Sequence, residues 1–290
     1  MRSQGPRTGV PPLPPSCSYS ADVDIDERLV RRLETSAASA TSHLVEGLRT
    51  ADRTHPAVWR ALHDGALIAM GPGRYVNRGM GVTIDELTSA EIDDLEAFYT
   101  EHASPPALEV SSWAHPATLA ELTRRAYTPA WFRSVFAMPL VGPARPATGH
   151  SPDVHIEPVG ADGLEVWLDV SATGFGVADG DARAVSDELA RATHATPDAH
   201  PFLAFVGGVV AGCGTLQVLD GVAWLGAAAT LPRWRGHGVQ TALVWHRLRL
   251  ADRLGCELAA VTAVPAGPSA RNLRHLGFQH VDTQVVLTRV

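Results

Sequence analysis

The chain has little cysteine: its 290 residues hold three, Cys17, Cys213 and Cys256. They lie far apart, form no CxxC pair and are odd in number. A disulfide framework and a zinc ribbon are therefore excluded as organising devices, and reduced thiols in a cytoplasmic protein are expected. HExxH and related ligand spacings are missing despite 13 histidines, so no metal is expected. No apolar run is clean enough to cross a membrane. The long apolar stretch from Leu203 to Leu231 is broken by Gln217, Asp220 and six glycines, and reads as several strands. The N-terminus lacks an apolar h-region, so no secretory signal is expected. A formal net charge of −7 gives no global basic footprint for nucleic acid.

What is present is a globular composition, 45% hydrophobic, over a length that suits one large domain or two ordinary ones. Residues 1–20 hold five prolines and few large apolar side chains, and read as a disordered leader. Val141-Gly-Pro-Ala-Arg-Pro-Ala-Thr-Gly-His-Ser-Pro152 reads as a linker. The predicted division is therefore a first domain over 21–140, a linker over 141–152 and a second domain over 153–290.

In the first part, apolar residues at helical spacing predict a helix from Asp26 to about Arg49. Strands are predicted at Ala66–Met70, Tyr75–Val82 and Ala107–Ser111. Thr88 and Glu91 have the spacing of a capping box and open a helix that runs to His102. Pro116–Arg125 reads as a helix, and Ala130–Leu140 as a strand or hairpin. In the second part a strand at Asp153–Pro158 precedes two helices, Asp162–Thr173 and Asp181–Ala195. Gly207-Gly208 and Asp220-Gly221 then join three strands into an antiparallel meander, because these residues tolerate positive φ cheaply. A helix from Val239 to Leu254, a strand at Glu257–Val264, a helix at Ser269–Leu276 and one or two final strands complete the chain. Strand, helix and strand around residue 239 should form a right-handed parallel crossover.

Thr230-Leu-Pro-Arg-Trp-Arg-Gly-His-Gly-Val-Gln-Thr241 joins the last strand of the meander to that helix. Two glycines sit one residue apart at a helix N-terminus. Free backbone N–H groups and the positive end of the helix dipole converge there, so a phosphate can bind.

Arg235-Gly-His-Gly-Val-Gln240 followed by Leu243 resembles the acyl-CoA loop of the GNAT superfamily of N-acetyltransferases, R/Q-x-x-G-x-G/A. Pro232, Gly212 and the closing Leu276-Gly277-Phe278 share that family's habits. The resemblance covers about residues 153–290. It implies an α/β (α+β) fold and acetyl-CoA as the acyl donor. The donor-binding residues it implies are Ala228, Thr230 and Leu231 on the fourth strand, then Arg235, Gly236, His237, Gly238, Val239, Gln240 and Thr241. It also implies that the fourth and fifth strands splay apart and that pantetheine pairs with the free edge of the fourth.

The sequence departs from the family pattern where protons move. Many relatives have a tyrosine four residues before the glycine of the closing Gly-Phe, but here that position is Leu273, and no tyrosine follows Tyr127. The common carboxylate on the fourth strand is absent too, since Gly226, Ala227, Ala228 and Ala229 cannot take a proton. Acid–base candidates are therefore His194, Glu188, Asp179 and Asp181 in the helical region. Each also reads as a solvated surface residue. Asn272 is a candidate donor to the thioester or thiolate, or else a solvent-facing residue. Ser269 is a further donor, or an N-cap.

Leu122-Thr-Arg-Arg-Ala-Tyr127 parallels Leu273-Arg-His-Leu-Gly-Phe278, and the element order of the two parts agrees. The chain thus resembles a tandem GNAT protein with a degenerate N-terminal copy: two mixed-sheet domains, each a meander plus a parallel strand–helix–strand crossover. Arg78-Gly-Met-Gly-Val82 copies the wording of the second loop. It reads either as a second CoA site or as a structural loop, with Asp85 and Glu86 set to repel phosphate. The expected function is transfer of an acetyl group to a small-molecule primary amine or amino acid, in a monomer or homodimer. The alternatives are a same-fold transferase using aminoacyl-tRNA or another acyl thioester, with Arg233, Arg235, Arg247, Arg249 and Arg253 meeting phosphates, and a non-catalytic acyl-CoA-binding module.

Overall fold

The computed structural model describes residues 23–140 and 153–289. The expected leader and linker lie outside the described residues. Asp26 caps the first helix, α1 (Glu27–Ala51), by accepting from the Leu29 N–H. Val30, Leu33, Val45 and Leu48 form its buried stripe. A hairpin of β1 (Val58–Leu62) and β2 (Gly65–Ala69) follows, then β3 (Arg78–Met80), α2 (Ser89–Glu101), β4 (Ala107–Ser111), α3 (Pro116–Arg124) and β5 (Thr128–Pro139). The second half runs β6 (Val154–Pro158), α4 (Leu164–Phe175), α5 (Asp181–Ala195), β7 (Ala199–Val206), β8 (Val209–Leu219), β9 (Val222–Thr230), α6 (Val239–Arg253), β10 (Leu258–Ala263), α7 (Pro268–His275) and β11 (Gln279–Thr288).

The predicted capping box forms as read, with Thr88 and Glu91 bonded reciprocally. One strand, β1, was not expected, and one expected strand shrinks. β1 carries no apolar alternation, because Trp59, Arg60 and Ala61 are exposed on a sheet edge. The strand expected over Tyr75–Val82 shrinks to Arg78–Met80. Asn77 ties the preceding turn to Met70 N–H, Gly71 carbonyl and Ser104 hydroxyl, and Gly81 turns the chain at a φ of +69°. Of the two readings for 130–140, strand or hairpin, the strand holds, with 130–139 inside the long β5.

Among the described residues, eleven strands join one sheet, in the order β1-β2-β3-β4-β11-β5-β10-β9-β8-β7-β6. Each half supplies a meander and a parallel crossover, β3–α2–β4 in the first and β9–α6–β10 in the second. The last strand of each half is lodged in the territory of the other. β11 inserts between β4 and β5, while β5 pairs antiparallel with β10 as well as with β11. Neither half has a complete sheet alone. α1 crosses the same seam, packing Val45 and Leu48 with Leu189 and Ala192 of α5.

A buried polar chain fixes the exchanged strand. Arg78 on β3 donates through Nε to Glu109 on β4 at 2.9 Å, and Arg133 on β5 also donates to Glu109. Arg133 Nε reaches Gln284 on β11 at 2.7 Å, and Gln284 donates to Glu34 on α1 at 3.0 Å. Burial pushes the Glu109 carboxyl up, but Arg133 and Arg78 outweigh it and hold it below the usual range. Glu34 has no such cation in contact. Burial, then repulsion from Glu109, raises its carboxyl to about 8, and its Oε2 has no partner.

Glu34 thus binds a proton in the fold that the unfolded chain releases near the ordinary carboxylate pKa. Its contribution is full below that value and is lost as pH rises through about 8. Glu34→Gln should match the wild type most closely in urea unfolding at pH 4. At pH 8.5 it should exceed it by roughly 2–4 kcal/mol, since an ionised carboxylate buried without a cation in contact costs more than a neutral polar group.

Candidate functional site

β9 and β10 run parallel only over Val222–Trp224 against Leu258–Ala260, and then separate. The cause is a bulge in β9. Ala227 has a φ of +45°, and the register with β8 slips between Cys213–Ala229 and Thr215–Gly226. Arg247 of α6, fully buried, sits behind the bulge. Its Nη1 donates to the carbonyls of Thr215 at 3.1 Å and Gly226 at 3.2 Å, and its Nε to Leu243 at 3.0 Å. Gly214 leaves room for it, since a Cβ there would lie 3.3 Å from the guanidinium. Burial pushes the Arg247 pKa down to about 10, so it stays charged at neutral pH. The expectation that Arg247 joins an arginine set facing phosphates is therefore corrected. Arg233, Arg235, Arg249 and Arg253 are exposed, but Arg247 serves the strand bulge.

Beyond Thr230 the chain makes a short 3-10 turn, Pro232–Trp234, and enters α6. Gly238 takes the N-cap place at a φ of +78°, with no side chain satisfying the helix N-terminus. Ala242 is the first residue to donate back into the helix, to Gly238. The N–H groups of Gly236, Gly238, Val239, Gln240 and Thr241 donate to no acceptor among the described residues. Gly236 and His237 are exposed, and Val239 is buried as the anchor. Gly212 lets that anchor approach β8, since a Cβ there would meet Val239 Cγ1 at 2.8 Å and Ala229 O at 2.7 Å. Arg235 reaches back to the Gly174 carbonyl at the end of α4, 3.2 Å away. The result is a row of outward N–H groups at a helix N-terminus, beside the unpaired edge of β9 that holds Ala228 and Thr230, with Leu231 just beyond.

α7 abuts this N-terminus. Gln240 Nε2 donates to Ser269 Oγ at 3.0 Å. Of the two readings for Ser269, donor or N-cap, the N-cap is corrected: Gly267 holds that place and Pro268 begins the helix. Asn272 Nδ2 is buried without a partner. Leu273, at the position where the resemblance leads one to expect tyrosine, lies in the core with Phe278 and Val261.

On the other side of β9 a cavity of about 1130 Å³ opens between the halves. Ala227, Thr215, Ser171 and His194 line it, α5 forms one wall, and residues 72–76 of the first half close it. His194 Nε2 is 3.4 Å from Thr215 Oγ1, Trp167 packs edge-on against the ring, and Nδ1 has no partner. Burial pushes the imidazole down to about 4, so it is neutral at physiological pH. Glu188 also lines the cavity, ion-paired with Arg74 Nη2 at 2.8 Å and in contact with His55 Nε2 at 3.1 Å through Oε1, while its Oε2 makes no hydrogen bond. Asp181 stands on the exposed first turn of α5, and Asp179 is exposed outside the lining. The structure thus gathers His194, Glu188 and Asp181 around one cavity, and Ser269 and Asn272 beside the loop.

The copy of the loop wording at Arg78 makes no such cradle. Arg78 is buried in its ion pair, and α2 starts only at Ser89 with its N-terminus capped by Thr88. Thr215, Ser171 and Tyr75 were not singled out from sequence, because no local pattern marks a cavity wall. Arg247 did carry a signal: it stands four residues after Leu243, on the apolar stripe of α6.

Residues 167–278 match the family model described as Acetyltransferase (GNAT) family. No curated protein matches the sequence. Among solved structures, a GCN5-related N-acetyltransferase from Kribbella flavida is similar at a TM-score of 0.63 and 17% identity, over 87% of this chain and 95% of that one. A GCN5-related N-acetyltransferase from Sphaerobacter thermophilus gives 0.57 and 17%, over 88% and 93%. A tandem GNAT protein from the clavulanic acid biosynthesis pathway gives 0.56 and 14%, over 92% and 95%. At these identities the likeness establishes the fold, the tandem arrangement included.

Removing the guanidinium behind the bulge strands two carbonyls and leaves a hole. Arg247→Ala should lower unfolding free energy by about 2–4 kcal/mol in urea titrations. A loss below about 0.5 kcal/mol would mean that the bulge does not depend on it.

Proposed function

We propose that the protein moves an acetyl group from acetyl-CoA to the nitrogen of a small-molecule primary amine, a reading supported by the match of residues 167–278 to the acetyltransferase (GNAT) family model. The observation that carries this reading is the row of unpaired N–H groups at Gly236 and from Gly238 to Thr241, continuous with the open edge of β9. A CoA pyrophosphate sits on the N–H row, where its charge meets the helix dipole. Pantetheine follows Ala228 to Thr230, and the thioester lies at the Ala227 bulge, where backbone N–H groups face the developing oxyanion. The first half then serves as a wall of the acceptor cavity, with no donor site of its own.

In the reaction, the neutral amine nitrogen attacks the thioester carbonyl carbon. A C–N bond forms, the carbonyl electrons move to oxygen, and collapse breaks the C–S bond and releases the CoA thiolate. An imidazole held near pKa 4 is a weak base, so it cannot strip a free ammonium ion. Its part comes after the C–N bond forms, when the nitrogen is acidic: His194 takes that proton, which ends on the thiolate. Asn272, with its buried free N–H group, steadies the thiolate. Positioning supplies much of the rate, which suits a site without the tyrosine of its relatives. The two described cysteines are buried and free, in keeping with a reducing compartment such as the cytoplasm.

Thiol release from acetyl-CoA, measured against a broad amine panel, tests the reading. The expected result is amine-dependent turnover. Gly238→Asp, which strains a φ of +78° and sets a carboxylate against the phosphates, should weaken acetyl-CoA binding by at least about tenfold in calorimetry. Unchanged affinity would remove the loop from the account. Tight binding without turnover on any amine would leave a binding module instead of an enzyme.

A further inference from the structure

The shape and charge of the cavity narrow the acceptor. Resting on the acetyl-transfer reading above, we propose that the acceptor is a bulky monoamine with an apolar, ring-bearing body, and that the first half of the chain helps select it. About 1130 Å³ exceeds what a short alkylamine needs and reaches the upper end of ordinary small-molecule sites, a few hundred to about a thousand cubic ångströms. The buried end of the cavity is polar and small. Thr215 and Ser171 are almost fully buried there, beside His194 and the Ala227 bulge where the acetyl group would lie. The open end carries large rings. Tyr75 is 68% exposed and Phe175 57% exposed, one from each half of the chain, with Val177 and Val185 between polar neighbours. An aromatic side chain that bare is a surface waiting for a flat apolar partner.

Charge decides against the other common acceptors. A polyamine or an aminated sugar carries several cations, each needing a carboxylate. Of the acidic lining residues, Glu188 is already shared between Arg74 and His55, which leaves Asp181 on the exposed rim. An amino acid brings a carboxylate, which needs a cation. Arg74 is the arginine of the lining, and its charge is already balanced by Glu188 at 2.8 Å, although its Nε makes no hydrogen bond. Bringing either ligand in would strand buried charge, at a cost binding cannot easily recover. A monoamine that enters neutral leaves these pairs intact, and its ring takes the Tyr75–Phe175 end while its nitrogen reaches the His194 end.

Direct binding to the full-length protein with CoA present tests this without requiring turnover. The probes are tryptamine, 2-phenylethylamine, spermidine and phenylalanine, measured by calorimetry and then as acetyl acceptors. Tryptamine and 2-phenylethylamine should bind at least about tenfold more tightly than spermidine or phenylalanine, and Tyr75→Ala and Phe175→Ala should each weaken tryptamine by about tenfold. Both side chains are exposed, so thermal unfolding of the variants should match the wild type. Equal or tighter binding of spermidine or phenylalanine overturns the proposal, as does indifference to both aromatic substitutions or failure of both arylalkylamines to bind. Tryptamine bound but never acetylated overturns the acetyl-transfer reading and leaves the acceptor class standing. Acetylation confined to spermidine does the reverse.

Discussion

The bulge at Ala227, pinned from behind by Arg247, is the constraint on which the rest of the site depends. A regular parallel pair of β9 and β10 would use every backbone group of both strands and leave no opening. One extra residue in β9 parts the strands, and the guanidinium takes up the carbonyls that the distortion would otherwise strand. The opening on one side meets the N–H row of α6, and on the other the cavity under α5. On the proposed reading, donor loop, reaction point and acceptor chamber are strung along a single strand. A buried arginine without a carboxylate is a costly choice for a core position, and three backbone carbonyls repay the cost.

The exchange of β5 and β11 ties the second constraint to the first. Because each half borrows the final strand of the other, the halves cannot drift apart, and the wall that residues 72–76 lend to the cavity holds its distance from α5. The first half has spent its own equivalent site on stability. Where the second half keeps free N–H groups, the first buries Arg78 against Glu109 and Arg133. The same four-residue wording, arginine, glycine, any residue, glycine, thus yields an anion cradle in one half and a strand with an ion pair in the other. The helix start decides between them: α6 begins at the second glycine, whereas α2 waits eight residues and brings its own cap.

Much of this was legible in the sequence, for local reasons. Gly207-Gly208 and Asp220-Gly221 fix turns, Thr88 and Glu91 fix a helix start, and the paired glycines at 236 and 238 announce a loop that must approach an anion. These signals act within a few residues of themselves. The strand exchange was not legible, since β5 and β11 carry similar patterns and nothing in either says which neighbour it will take. The burial of Arg78 was hidden for the same reason, as its partner Glu109 lies 31 residues on. Arg247 was misread as part of a basic surface because its charge was given more weight than its place on the apolar stripe of α6. The cavity wall was not legible, because Tyr75 and Thr215 meet there through tertiary packing alone.

The central claim is that one half of the chain holds the donor and the other does not. Amide hydrogen exchange, read by mass spectrometry on the full-length protein with and without acetyl-CoA, addresses it most directly. New protection is expected over Gly236–Thr241 and along Ala228–Thr230, with Arg78–Val82 unchanged. Protection at Arg78–Val82, or no protection at Gly236–Thr241 under saturating acetyl-CoA, would contradict it.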